Sequence, residues 1–236
     1  MVLPDAPTVA RDLAHLLWIG GAPDAGKTTI ARLLAERRHW QWYPCDLHAH
    51  DHLARSDPTQ LPATYAKFGT SIDERWVQPT PDELLRSIVA INDERFPMIL
   101  TDLRAMPTRP MILVEGPSLH PQLVAPVLTS RHQAVWLVPT EEFALASVAR
   151  RDKLRGSDRS SDPERYRRNV LERNRLFAGY IRREVAAQGG ALIEVDGAQT
   201  VEEVARRVEE HFAPYLGTHQ GGHSEGLASP GSQERE

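Results

Sequence analysis

The 236-residue chain carries one cysteine, Cys45, so no intrachain disulfide can form and a disulfide-stapled scaffold is excluded. Long apolar runs are also missing. The longest reach about five or six residues, against the roughly 20 that a membrane-spanning helix needs. No charged-then-apolar leader opens the sequence. Charge of one sign is lacking too: the formal net charge is -4, which gives no general pull towards nucleic acid. Collagen-like and coiled-coil compositions are absent. What is present is an ordinary globular balance, 41% hydrophobic and 25% charged residues, with enough length for a real core. The expectation is a soluble protein of the cytoplasm.

Apolar runs of strand length alternate with segments of helical spacing. Leu16 to Gly20 is apolar on both faces, as a buried parallel strand requires. From Thr28 the period changes: Ile30, Leu33 and Leu34 recur at helical spacing, with Arg32, Glu36, Arg37 and Arg38 opposite. Further strands are expected at Gln41–Cys45, Met111–Glu115, Ala134–Val138 and Ala191–Val195. Thr80-Pro81-Asp82-Glu83 reads as a helix start, with a capping threonine and a first-turn proline. Pro97 is expected to break that helix or restart it. A long charged helix is expected from Pro163 to Gln188, and a last one from Thr200 to Phe212. The pattern predicts an α/β domain with a five-stranded, mostly parallel sheet between helices. Residues 1–13 read as a lead and 14–216 as the domain. Residues 51–81, polar and proline-rich but holding Tyr65, Phe68 and Trp76, read as a small helical cap. From Gly217 the composition is too polar to bury itself, so 217–236 reads as a disordered tail.

The strongest motif is Gly21-Ala22-Pro23-Asp24-Ala25-Gly26-Lys27-Thr28, which fits G-x-x-x-x-G-K-[ST] at every position. It lies between the first strand and the first helix, the context that the motif needs. Glycines let the backbone turn and approach phosphates. Successive N–H groups then point inward and meet the positive end of the following helix. Lys27 is expected at the β- and γ-phosphates, the Thr28 hydroxyl on Mg²⁺, and Thr29 near the α-phosphate. Glu115 ends the strand expected beside the first, where a carboxylate can hold Mg²⁺ through water.

With Trp18-Ile19-Gly20-Gly21, Asp46 after the second strand, Val114-Glu115-Gly116, and Leu192 to Gly197 followed by Thr200-Val201-Glu202-Glu203-Val204, the chain resembles small P-loop kinases over roughly residues 14 to 215. That superfamily includes nucleoside and nucleotide kinases, shikimate and gluconate kinases, and antibiotic phosphotransferases. The resemblance implies a three-layer P-loop fold, ATP and Mg²⁺ as cofactors, and phosphoryl transfer to a hydroxyl or phosphate of a small molecule, such as a nucleoside, a nucleotide or an antibiotic-like compound. It places Asp46 at the acceptor hydroxyl, where a carboxylate can orient the nucleophile and accept its proton. It places an arginine-rich lid at 150–165, from which Arg151 and Arg155 would neutralise the transferring phosphoryl group. Arg150 and Asp196 would border the adenine. A GTPase would show Asn-Lys-x-Asp after a strand, and an AAA motor an Asp-Glu pair and a helical lid domain; neither is found.

The run Asp46, His48, His50, Asp51 and His52 holds metal-ligand types without a closed set, so substrate contact by His48 or His52 is the preferred expectation over a transition-metal site. Between Arg150 and Arg183, 12 basic residues stand among 5 acidic ones. Most of Arg165 to Arg183 reads as a solvated helix face. Two other classes compete with the kinase: a nucleotide-dependent switch or assembly ATPase, and an ATP-using RNA-binding protein. The basic segment has few aromatics for stacking bases.

Overall fold

The structure is a computed structural model that describes residues 10–150 and 154–220. Five strands, β1 (Leu16–Gly21), β2 (Gln41–Pro44), β3 (Ile112–Glu115), β4 (Ala134–Pro139) and β5 (Ala191–Val195), form one sheet in the order β2-β3-β1-β4-β5. Every pairing is parallel. Side chains on a strand alternate between faces. Leu16 and Trp18 of β1 therefore join Ala134, Trp136 and Val138 of β4 on one face, while Leu17 and Ile19 join Val135 and Leu137 on the other.

Helices cover both faces. α1 (Lys27–Arg38) directs Ile30 and Leu34 into the second cluster. Across the same face lies the last helix, which adds Val204, Val208 and Phe212. A pair between Arg38 and Glu209 links the two helices at the surface. The first face is covered by α5 (Pro81–Ala105) and α8 (Pro163–Ala187), through Phe96, Ile99, Leu100 and Leu103 of one and Phe177, Ile181 and Val185 of the other. Between β4 and α8 stands α7 (Glu141–Arg150). Three short helices, α2 (Ala49–Ala54), α3 (Pro62–Phe68) and α4 (Ile72–Trp76), occupy the cap region, and α6 (Pro121–Val124) follows β3.

The cap is fastened by polar contacts to α5. Glu94 accepts from the Ala63 and Thr64 N–H groups at 2.7 and 2.9 Å, capping α3 from another helix. Tyr65 donates to the carbonyls of Leu53 and Ser56. Thr80 and Glu83 close a reciprocal capping box at the start of α5, as the sequence signature requires.

Two expectations are corrected. Pro97 does not break α5, which runs through it to Ala105. Phe96, Ile99, Leu100 and Leu103 sit at core spacing on either side of the proline, so their burial holds the helix together where one backbone bond is lost. The last helix, α9 (Val201–Gln220), continues past Gly217 into the segment read as a tail, because Tyr215 and Leu216 are buried against the sheet. Residues 221–236 lie outside the described residues.

Candidate functional site

In an open parallel sheet, ligands bind beyond the carboxyl ends of the strands where the strand order reverses. Here the chain leaves β1 for β2 on one side and later crosses to β4 on the other. The register sets Glu115 level with both Ile19 of β1 and Pro44 of β2. That pairing brings the end of β3, the loop after β1 and Asp46 to one edge of the sheet.

The loop is shaped by its glycines. Gly21 has φ 123°, and a Cβ there would stand 2.0 Å from the Leu137 carbonyl oxygen. The close approach is what lets the Ala22 N–H reach that oxygen at 3.0 Å. Gly26 is left-handed at φ 78° and caps α1, while Asp24 also takes a positive φ of 65°. Lys27 is buried and donates to the Ala22 carbonyl at 2.7 Å, folding back over the loop that it ends. The Thr28 hydroxyl donates to Glu115 Oε1 at 3.1 Å. Burial pushes the Glu115 carboxyl above its ordinary range; Lys27 and the Thr28 hydrogen bond pull against that rise, and the charge of Asp46 adds to it.

These residues line a cleft of about 350 Å³, and Pro23, Asp24, Gly26, Thr29 and Asp46 share its wall. Ala22 and Ala25 are buried under the loop. Asp46 is exposed. Its place is fixed from behind: Cys45 and Asp46 begin a 3₁₀ turn, and Arg95 of α5 donates to the Cys45 carbonyl at 2.7 Å.

The histidines of the run take different partners, although the His48 and His52 rings stand 6.3 Å apart. His48 stacks on Tyr43 with centroids 4.1 Å apart, and His50 meets Phe68 edge-on. His52, expected at the acceptor, is wholly buried, with Nε2 2.8 Å from Asp102, so it cannot touch a substrate. Tyr43 donates to the same carboxylate at 2.8 Å and Arg55 at 2.7 Å. Burial works against the Asp102 charge, but these hydrogen bonds outweigh it and hold the carboxyl below its usual range. His52 thus ties the cap to α5. Among the described residues no three His, Cys, Asp or Glu side chains converge as a metal site.

Of the arginines expected to act, Arg151 lies outside the described residues, and so do the side chains of Arg150 and Arg155. Asp196 is exposed and accepts from the Ala198 N–H at 2.9 Å in a turn. It lines neither the cleft nor a second cavity of about 580 Å³ between α7 and α8, which adjoins the loop at Pro23 and Asp24.

The residue that sequence reasoning missed is Arg173. Read there as part of a solvated face, it instead enters the cleft from α8. Tyr166, Asn169, Arg173 and Phe177 recur at helical spacing, and the other three are buried. A cation set into an apolar stripe was the available signal. The Nε of Arg173 is buried without a hydrogen-bond partner, and burial lowers the guanidinium pKa to about 10.

No protein-family model and no curated protein matches the chain. Among solved structures, it is similar to a shikimate kinase from Acinetobacter baumannii in complex with shikimate, with 17% identity over 87% of this chain and 97% of that one, at a TM-score of 0.45. It is also similar to a gluconokinase from Sinorhizobium meliloti 1021, with 15% identity over 89% of this chain and 99% of that one, at a TM-score of 0.44.

Proposed function

We propose that the chain is an ATP-dependent kinase that phosphorylates a hydroxyl of a small molecule. The observation that carries this reading is one cleft holding a phosphate-shaped loop with its lysine, a threonine–glutamate pair and an exposed aspartate. The inward N–H groups and Lys27 hold the triphosphate. Asp46 lines the same cleft from the 3₁₀ turn after β2 and is exposed to meet an incoming hydroxyl. In the transfer, the acceptor oxygen bonds to the γ-phosphorus as the bond from that phosphorus to the β-phosphate oxygen breaks. The electron pair leaves with ADP, and the hydroxyl proton passes to the Asp46 carboxylate. Arg173 places a fixed positive charge beside the loop, where charge builds on the transferring group.

The pair of Thr28 Oγ1 and Glu115 Oε1, two hard oxygens 3.1 Å apart, fits Mg²⁺, which takes few protein ligands and keeps waters. Thr28 would hold it directly and Glu115 through water. When bound, it supplies charge neutralisation on the phosphates.

The test is ADP release with ATP against pooled nucleosides, nucleotides, sugars, sugar acids and aminoglycoside-like compounds. Release that depends on one compound is expected. Release indifferent to all of them, but raised by RNA or protein, would favour a switch ATPase or an RNA-binding protein instead. Lys27→Ala should abolish turnover, and Asp46→Asn should cut it at least about a hundredfold, the range for a lost general base. Near-normal turnover in Asp46→Asn would remove that residue from the chemistry.

A further inference from the structure

Between α3, α4 and α5 lies a cavity of about 620 Å³, and Lys67 of α3 lines it. Ala63, Ala66 and Leu84 give it apolar walls, and Thr70 and Ser87 add hydroxyls. The Lys67 ammonium lies 4.7 Å from the centre of the Trp76 ring, which is not part of the cavity wall. Among the described residues, this amine has neither an ion-pair partner nor a hydrogen bond. Two acids share the cavity, and each is held by its own helix cap. Glu74 accepts from the N–H and hydroxyl of Ser71, and Glu83 from those of Thr80, all at 2.8 Å. Both acids are exposed.

The neighbours that act on the amine are cations. Arg75 of α4, also in the cavity wall, donates to the carbonyls of Lys67 and Thr70. From α8, the Arg173 guanidinium carbon lies 5.1 Å from the centre of the same indole, and the Tyr166 ring packs on that indole at 5.8 Å between centroids. Burial, then the charges of Arg173 and Arg75, lower the Lys67 pKa to about 8. At pH 7 about a tenth of this amine is neutral, against about one part in 3,000 for an ordinary lysine. A neutral amine is a nucleophile, and a desolvated lysine beside another cation is one way a protein obtains it. The electrophile decides what happens to the charge. An acyl donor would leave a neutral amide. Carbon dioxide would leave an anion, which turns both repulsions into attractions.

We propose that Lys67 is a carbamylation site, whose neutral amine adds carbon dioxide to form a lysine carbamate in the cavity between α3, α4 and α5. The nitrogen lone pair makes the new N–C bond while one C=O π pair moves onto oxygen. An N–H proton then passes to water. The step needs no oxidant, no leaving group and no nucleotide, so it goes beyond the kinase reading and does not depend on it. One positive charge becomes one negative charge. The cations that free the amine also favour its product, and the two effects act in the same direction. Glu74 and Glu83 oppose the carbamate, but both are solvent-exposed, where their charge is screened. The cavity has room for the added carboxylate.

The full chain is tested under carbon-13-labelled carbon dioxide and in carbon-dioxide-free buffer at the same near-neutral pH. A protein-bound carbamate carbon should appear in the carbon-13 spectrum of the first sample alone. Treatment with triethyloxonium, which ethylates carbamate oxygens, followed by peptide mass mapping should place the adduct on Lys67. Lys67→Met should lose that adduct, and so should Lys67→Arg, which keeps the charge without a neutral amine. Label confined to the N-terminal amine or to other lysines, or no label at all, would overturn the proposal. Arg173→Gln removes one of the flanking cations, which makes the amine more basic and its carbamate less favoured. At fixed carbon dioxide, occupancy of Lys67 should fall at least about threefold in that variant. Unchanged occupancy there would overturn the role given to the cations. Thermal unfolding supplies a second readout: carbon dioxide should raise the Tm of the wild type and leave that of Lys67→Met where it was, since the carbamate is favoured in the folded chain. A wild-type Tm that responds no more than that of the variant would count against the site.

Discussion

Replacing Lys67 by methionine should make the ligand-free protein more stable near neutral pH. The ammonium is largely buried, faces two like charges and stacks on an indole. Its pKa falls from an ordinary 10.5 to about 8. At about 1.4 kcal/mol per pH unit, that gap corresponds to a penalty of about 3 kcal/mol for keeping the amine charged in the folded state. The methionine loses a cation–π contact of about 1 kcal/mol and keeps most of the apolar stem, so the net gain should be about 2 kcal/mol. The pH dependence separates this mechanism from a packing effect. Below about pH 8 both folded and unfolded chains carry the proton, and the penalty is fully present. Between about 8 and 10.5 the unfolded chain holds more protons than the folded one, so wild-type stability rises with pH relative to the variant. Urea unfolding of both proteins at pH 7, 8.5 and 10 measures the difference, and all other titrating groups cancel between them. A variant less stable than wild type at pH 7, or a difference that does not shrink by pH 10, would refute the reasoning.

Two further outcomes follow from backbone and hydrogen-bond geometry. Gly21→Ala should cost at least about 3 kcal/mol, seen as a fall in Tm of about 6–12 °C, because its Cβ would stand 2.0 Å from the Leu137 oxygen; Gly217→Ala, exposed in α9 with nothing within 4 Å, should instead gain about 0.5–1 kcal/mol. Asp102→Asn should cost about 2 kcal/mol at pH 7 in urea unfolding, since Tyr43, His52 and Arg55 lose their shared anion. Because the folded Asp102 pKa is lowered, the wild-type advantage is fully present above the ordinary carboxylate value of 3.8 and is lost as pH falls through the folded one.

What the sequence disclosed follows from how local each signal is. The strands announced themselves as short apolar runs, and Ala191–Val195 is β5 with the same ends. The loop from Gly21 to Thr28 is contiguous, so its geometry follows from its own glycines. That Glu115 and Asp46 line one cleft was legible because Glu115 ends β3 and Asp46 stands two residues past β2, strands that a parallel sheet sets side by side. His52 misled because its partner, Asp102, stands 50 positions away on α5, and nothing near His52 reports it. Pro97 misled for a related reason: propensity is local, whereas the burial of Phe96 and Ile99 that overrides it is tertiary. Arg173 was concealed by company. It sits among many arginines on a charged helix, and only its phase with Tyr166, Asn169 and Phe177 sets it apart.

That phase also explains how one helix touches both the cleft and the cap. α8 spans 25 residues, long enough to reach from the cap to the sheet. Its lower turns lock into the core through Phe177, Ile181 and Val185, which makes the helix a fixed reference. Asn169, higher on the same stripe, takes three carbonyls of the cap and sets Trp76 against that reference. Arg173 lies between the two anchors, so its position relative to both loop and cap is determined by packing rather than by a salt bridge. A guanidinium fixed by a carboxylate would have its charge neutralised before any phosphate arrived. Fixed by packing and an aromatic face, it keeps that charge, as the proposed phosphoryl transfer requires.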